Sequence, residues 1–305
     1  MSLDIVGMGE PMLELNQVKG GDGYRPGFGG DTANTIVAAA RSGAKTGYFT
    51  GLGEDTFGRA FLDLWQSEGV DASQVKIDAD AHTGVYFVTH GPQGHEFSYL
   101  RAGSAASRLT EADIPSDYVA SARILHVSGI SQAISSSAAD AVFAAIDLAK
   151  SSKALVSYDT NLRLKLWPLT RARAVIHAAM RLADIALPGL DDARLLTGLE
   201  APDAIADFYL RLGAKIVALT LGPEGALVAT EKRRETLASL KVEAVDATGA
   251  GDTFDGAFLA EYLRTGDPFA AGRFAVVAAA LSTRGYGAIA PMPRREETLA
   301  AMAKM

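Results

Sequence analysis

The sequence predicts an α/β protein with a mostly parallel central sheet, helices on both its faces, and a small β-sheet standing off it that could serve as a lid, a dimer surface or simple decoration. Three observations carry this. Apolar runs of strand length alternate with segments of helical period through most of the chain. Residues 13–28 and 83–101 break the alternation and read as β-structure without helices. The 305 residues are 48% hydrophobic and 21% charged, a balance that supports a large core and excludes a disordered chain.

In chain order, residues 5–7 read as a strand, and Ala33, Ile36, Val37 and Ala40 recur at helical spacing. Residues 46–51 predict a strand and residues 57–68 a helix. Ile124–Ser128, Leu155–Asp159, Ile185–Leu187 and Ile216–Thr220 are short apolar strands. Between them, residues 138–150, 171–183 and 203–212 repeat with helical period. Such alternation argues for parallel strands covered on both faces. Gly20, Gly21, Gly23 and Pro26 interrupt the first exceptional region. The second pairs Val85-Tyr86-Phe87-Val88 with Phe97-Ser98-Tyr99-Leu100 through His90-Gly91-Pro92-Gln93-Gly94, a hairpin pattern. One domain over residues 1–305, with lid segments at about 12–28 and 83–103, is expected.

Composition removes several functions. With no cysteine, there is no disulfide scaffold, thiolate metal site or cysteine nucleophile. A net charge of −7 argues against a general nucleic-acid binder. The start of the chain has no basic and apolar leader pattern, and no apolar run approaches the roughly 20 residues of a membrane helix. A soluble cytoplasmic protein is expected.

Asp246-Ala247-Thr248-Gly249-Ala250-Gly251-Asp252 follows the extended run 240–245 and opens a helix with Phe254, Ala257, Phe258 and Tyr262 on its buried face. A Gly-Ala-Gly turn at a helix N-terminus offers bare amides and the positive dipole end to an anion. Asp252, beside that site, is able to take a proton from a hydroxyl attacking phosphorus. It is equally readable as an ordinary first-turn acid. Gly27-Phe28-Gly29-Gly30-Asp31-Thr32-Ala33-Asn34 is a second glycine turn entering a helix, where Asp31 or Asn34 would bind polyol hydroxyls; an Asp N-cap is the simpler reading. The Gly-x-x-x-x-Gly-Lys phosphate loop is absent. Both dinucleotide-like glycine runs fail at the third glycine, at Met12 and Thr56, and the five histidines have no metal spacing.

Taken together, the Gly29–Asn34 and Asp246–Asp252 segments resemble the two signatures of the PfkB, or ribokinase-like, carbohydrate kinases, and the resemblance extends over essentially the whole chain. Ala247 departs from the Thr or Pro usual after the leading Asp. Within the family the chain is most similar to 2-keto-3-deoxygluconate kinases. This rests on Gly9-Glu10-Pro11-Met12, the stretch Tyr99-Leu100-Arg101-Ala102-Gly103-Ser104-Ala105, Leu125-His126-Val127-Ser128-Gly129-Ile130, and Asp159-Thr160-Asn161-Leu162-Arg163 followed by Leu166-Trp167.

The resemblance implies a ribokinase-like three-layer sandwich and transfer of a phosphoryl group from MgATP to a sugar hydroxyl. In that transfer Asp252 is the general base, and the Gly249, Ala250 and Gly251 amides stabilise charge. It implies that Gly29, Gly30, Asp31 and Asn34 meet the sugar, and that Arg101 and Arg163 meet the carboxylate of an acid sugar, which suits a planar, permanently charged fork. Tyr86 and Tyr99, on the lid, would pack on the sugar chain or simply pack the lid. Thr220, Gly222 and Gly225 resemble the family's ATP-flanking loop, and residues 284–289 a loop closing over the adenine. Asp192 stands where the family has a glutamate that organises Mg2+ through water, with Gly189 in place of its asparagine. Asp246 and Thr248 occupy the place of a monovalent cation (K+) site. A homodimer through the lid, or a higher homo-oligomer, is expected from the lid's exposed edge.

Overall fold

The computed structural model describes residues 2–18, 21, 23–91 and 94–305; Gly20, Pro92 and Gln93 of the two glycine-bearing loops lie outside the described residues. In chain order the first half holds β1 (Ile5–Met8), β2 (Met12–Gln17), β3 (Tyr24–Gly29), α1 (Asp31–Arg41), β4 (Thr46–Phe49), β5 (Gly51–Gly53), α2 (Thr56–Glu68), β6 (Lys76–Asp78), β7 (Gly84–Gly91) and β8 (Gly94–Leu100). Then follow α3 (Ser116–Ala120), β9 (Ile124–Ser128), α4 (Gly129–Ala133), α5 (Ser136–Ser151), β10 (Leu155–Asp159), α6 (Leu169–Met180), β11 (Ile185–Leu187), α7 (Leu190–Thr197) and α8 (Pro202–Leu212). The last part holds β12 (Ile216–Thr220), β13 (Gly225–Thr230), β14 (Arg234–Ala238), α9 (Ala250–Thr265), α10 (Pro268–Ser282) and α11 (Arg295–Met302).

The main sheet has the order β14-β13-β12-β11-β10-β9-β1-β4; β13 alone runs antiparallel to its two neighbours, β12 and β14, and the strands from β12 to β4 are parallel. Side chains alternate between two apolar layers. Val6, Leu125, Val156 and Val217 pack with α5, α6, α7 and α8. Ile5, Ile124, Ile185 and Ile216 pack with α1, α2, α9 and α10. Both faces are covered, which is why these strands read as unbroken apolar runs. Helix starts are set by side-chain acceptors: Asp55 Oδ1 takes the Gly58 amide and Ser135 Oγ the Ala138 amide, while Pro202 occupies a position whose amide needs no partner.

The lid is a second sheet in the order β3-β2-β7-β8, with β2 and β7 parallel and the outer pairs antiparallel. Met12, Tyr86 and Val88 pack with Phe97 on it, while Tyr99 and Leu100 stay exposed.

Three expectations are corrected. The strand at 46–51 ends at Phe49: Thr50 donates its hydroxyl to the Gly9 carbonyl, and Gly51–Gly53 pairs with Lys76–Asp78 in a separate two-stranded sheet. The extended run 240–245 forms no strand; its Val245 amide bonds the Thr283 carbonyl instead. The sheet closes earlier, with β13 and β14, whose joining run Glu231-Lys232-Arg233-Arg234-Glu235 hides strand character behind the charges of an edge. The first signature helix begins at Asp31, so Gly30 is its N-cap and Asp31 caps nothing.

The site depends on one crossing. Helices α1 and α9 touch so closely that a Cβ at Gly256 would overlap the Thr35 carbonyl oxygen and approach the Ala38 side chain to 2.7 Å. Overpacking of that kind costs about 1–3 kcal/mol. Gly256→Ala is therefore expected to lower the urea midpoint by an amount equivalent to at least about 1 kcal/mol.

Candidate functional site

A cavity of about 850 Å3 opens where the C-terminal ends of the parallel strands face the lid. Crevices form there in open α/β sheets. The lid supplies Met12, Tyr86, Phe97, Tyr99 and Arg101; the start of α1 supplies Gly30, Asp31 and Asn34. The end of β10 and its loop supply Asp159, Asn161 and residues 162–166, the start of α7 supplies Gly189 and Asp192, and the end of β12 supplies Thr220. The start of α9 supplies Thr248, Gly249, Gly251, Asp252 and Asp255.

At the helix end, Gly249 takes φ 75° as N-cap and Ala250 begins α9. Among the described residues no protein acceptor meets the Gly251 or Asp252 amide, and the space in front of Gly251 is open. Unmet amides at the positive end of a long helix fit an anionic oxygen. Asp246 braces this turn from behind: its Oδ1 accepts from the Thr248 amide and hydroxyl at 2.9 and 2.7 Å, and its Oδ2 accepts from the Gly287 amide at 2.9 Å. That last bond ties the 284–289 loop to the turn.

Asp252 Oδ2 accepts from Asn34 Nδ2 at 2.8 Å, across 218 positions of sequence. Burial and the nearby Asp31 charge push the Asp252 carboxyl up to about 7, against the Asn34 hydrogen bond and Arg163, which favour its charged form. A base poised near neutrality is suited to accepting a proton from a hydroxyl. Asp31 Oδ2 accepts from Asn161 Nδ2 at 3.2 Å, while Asp31 Oδ1 and Asn34 Oδ1 are buried without partners. Buried polar atoms rarely stay unpaired, so these two acceptors fit the hydroxyls of a bound polyol. Asn161 holds φ 26°, stabilised as its amide donates to Asp159 Oδ1 at 3.0 Å.

The two arginines differ. Arg101 donates from Nε and Nη2 to Glu10, whose side chain is fully buried and also accepts from the Ser104 hydroxyl. Its charge is already balanced. Arg163 has no ion pair among the described residues; its Nη1 donates to the Leu162 carbonyl, and its charge acts on Asp192 and Asp252. Lys165 lines the same wall, also without an ion pair among the described residues, with its ammonium 5.9 Å from the Tyr99 ring centre. Tyr86 donates to Glu14, and burial with that carboxylate raises its phenol well above its usual value, so it stays protonated.

Of the residues read from sequence, Ala250, Asp246, Gly29, Gly222 and Gly225 do not line the cavity. Gly29 lies against the Tyr86 hydroxyl, and Gly225, at φ 113°, packs its backbone on Leu237. Asp192 accepts the Leu162 amide at 2.8 Å through Oδ2, which holds the loop bearing Arg163. Among the described residues no group of three or more His, Asp or Glu side chains is arranged to hold a metal ion; a magnesium ion would fit here only in company with phosphate oxygens. Sequence reading assigned no role to Glu10, Glu14, Asp159, Asn161, Lys165 or Asp255. The usable signal was an acid in an apolar setting, as with Glu14 between Leu13 and Leu15.

Comparison with known proteins identifies the family of the chain. The pfkB family carbohydrate kinase pattern matches residues 6–295. The chain is 36% identical to the 2-dehydro-3-deoxygluconokinase of Thermoproteus tenax, covering 97% of this chain and 94% of that protein. It is 32% identical to fructokinase-2 of Solanum lycopersicum, covering 97% and 94%. It superposes with a TM-score of 0.88, at 28% identity and 98% coverage of both chains, on a Vibrio cholerae fructokinase double mutant bound to fructose, ADP and potassium. The chain belongs to the PfkB family of carbohydrate kinases and is a phosphotransferase acting on a sugar hydroxyl.

The Arg101–Glu10 pair joins the lid to the end of β1. Removing one partner of a buried pair costs about 3–5 kcal/mol. Arg101→Met, which strands Glu10 with Ser104 as its one remaining donor, is expected to lower unfolding stability in urea within that range.

Proposed function

We propose that this PfkB-family kinase transfers the γ-phosphoryl of ATP to the terminal hydroxyl of 2-keto-3-deoxygluconate, with Asp252 as general base. The observation that carries the reading is the joint position of Asp252 and Arg163. The base sits at the helix end, its carboxyl near 7, and an arginine with no ion pair among the described residues stands on the same cavity wall. The Thermoproteus tenax relative bears the name of that activity.

The chain's own groups divide the work. Asp31 and Asn34 offer their unpaired oxygens to sugar hydroxyls. Arg163 holds the carboxylate, and Arg101, neutralised by Glu10, offers its remaining N–H as a directional donor. Tyr86 and Tyr99 form the lid wall over the sugar chain. Asp252 accepts the proton of the terminal hydroxyl as its oxygen attacks phosphorus. The Gly251 and Asp252 amides, with the turn of Gly249 and Ala250, receive the charge that develops on the transferring phosphoryl. Magnesium bound with the nucleotide would supply charge neutralisation on the phosphates, and Asp192, on the cavity wall, would be the carboxylate to act on it through water. Thr220 borders the nucleotide side, with Gly222 and Gly225 shaping the turn that follows it, and potassium is the monovalent ion for which Asp246 and Thr248 would shape the turn before α9. The lid edges of β3 and β8 pair two copies as a dimer.

A second reading, a kinase for a neutral sugar, is favoured by one observation: Arg101 is already paired, which leaves a single arginine for the carboxylate. ADP release over a panel of 2-keto-3-deoxygluconate, its galacto epimer, fructose, ribose and adenosine separates the two. The acid sugar is expected to give the highest kcat/KM; a clear preference for fructose or ribose would overturn the assignment. Arg163→Ala is expected to reduce kcat/KM for the acid by about 10²-fold or more, and far less for any neutral sugar. Asp252→Asn is expected to lower kcat by about 10²–10⁴-fold. Because the charged form is the base, wild-type kcat/KM is expected to fall as pH drops through about 7.

A further inference from the structure

Asp255 lies three residues after Asp252 on α9, on the same side of the helix, and is 3% exposed. Its carboxyl borders the cavity, and the reaction above gives it no task. It is one of five aspartates lining the cavity and groups with three of them, Asp31, Asp159 and Asp252, whose charges bear on it. Carboxylates sharing a poorly solvated site do not all ionise together. The available donors decide which one keeps its proton. Asp31 accepts from the Asn161 side chain, Asp159 from the Asn161 amide, and Asp252 from the Asn34 side chain. Among the described residues Asp255 accepts no hydrogen bond and pairs with no cation, so its charged form is the least compensated of the four.

We propose that Asp255 is a substrate-binding residue: a carboxylic acid kept neutral, donating its O–H to a sugar oxygen within one helical turn of the hydroxyl that Asp252 deprotonates. The groups facing it are Asp252 on its own helix, Asp31 from α1 and Asp159 from β10; burial and these three charges all push its carboxyl well above the ordinary range. The charged residue of α10, the other helix packed on α9, is Arg273, which is paired with Glu235. Arg163, from the loop after β10, acts on Asp252. A neutral acid here does two things that a carboxylate would not. It supplies a donor where the neighbouring side chains offer mostly acceptors. It also adds no further negative charge against ionisation of the base. The donor role rests on the sugar-kinase reading, whereas the retained proton does not.

Infrared difference spectra of wild type against Asp255→Asn at about pH 7.5 test the proton directly. The expected result is a protonated-carboxyl C=O band in the wild type that is missing from the variant and shifts when sugar is added. Absence of that band overturns the proposal. The donor is tested with whichever panel sugar wild type turns over fastest: Asp255→Leu, of similar size but without a polar group, is expected to raise its KM about tenfold above that of Asp255→Asn. Equal KM values in the two variants overturn the donor role. Thermal unfolding keeps the test sound if Asp255→Leu folds poorly. A carboxyl whose folded pKa lies above its unfolded one makes the protein lose stability as pH rises between the two values. Asp255→Asn is therefore expected to raise Tm at about pH 8, with the gain shrinking toward about pH 4. An unchanged Tm at both pH values counts against a retained proton. If no panel sugar is turned over, the kinase reading fails while the infrared band still tests the proton.

Discussion

The close crossing of α1 and α9 is the constraint from which the rest of the site follows. Gly256 lets the two helices approach to backbone contact at Thr35. Their N-terminal ends then open on the same cavity, one bringing Asp31 and Asn34, the other Asp252 and Asp255. The Asn34–Asp252 hydrogen bond is the visible product of that approach. Neither helix makes the site alone: α9 supplies the unmet amides and the Asp252 carboxyl, and α1 supplies the Asn34 donor to that carboxyl and two buried acceptors without partners.

Electrostatics then divides the cavity into a floor and a wall. The floor gathers four carboxyls in poor solvent, which raises the cost of each added charge and lifts Asp252 to about 7. The wall after β10 carries Arg163 and Lys165, without ion pairs among the described residues, and the lid carries Arg101 with its charge spent on Glu10. A molecule of −7 net charge thus presents its cations locally, where an anionic sugar would lie. The turn at the start of α9 adds to this without a formal charge, since the Gly251 and Asp252 amides there meet no acceptor among the described residues.

Much of this was legible in the amino-acid order. The buried parallel strands announced themselves as apolar runs, and Ile124–Ser128, Leu155–Asp159, Ile185–Leu187 and Ile216–Thr220 form at those bounds. The lid was legible because Val85–Val88 and Phe97–Leu100 alternate without helical period. β13 and β14 were not, because an edge strand such as β14 carries charges that read as a loop. The signature turns pointed to Asp252 and Asp31 because glycine before a helix is a local pattern. The pairing of Arg101 with Glu10 and of Tyr86 with Glu14 joins residues 91 and 72 positions apart, and only packing reveals them. Asp255 went unassigned because its position reads as one more polar residue on a helix until its burial, and the lack of a donor to it among the described residues, are known.

The central claim is that the cavity floor shares its protons unequally, with Asp252 the carboxyl that titrates near neutrality. A 13C NMR pH titration of aspartate side-chain carboxyls, assigned by comparison with Asp252→Asn, measures this directly. One resonance, missing in the variant, is expected to titrate at about 7. If the Asp252 carboxyl instead titrates near 4, with the ordinary aspartates, it is not the tuned base described here.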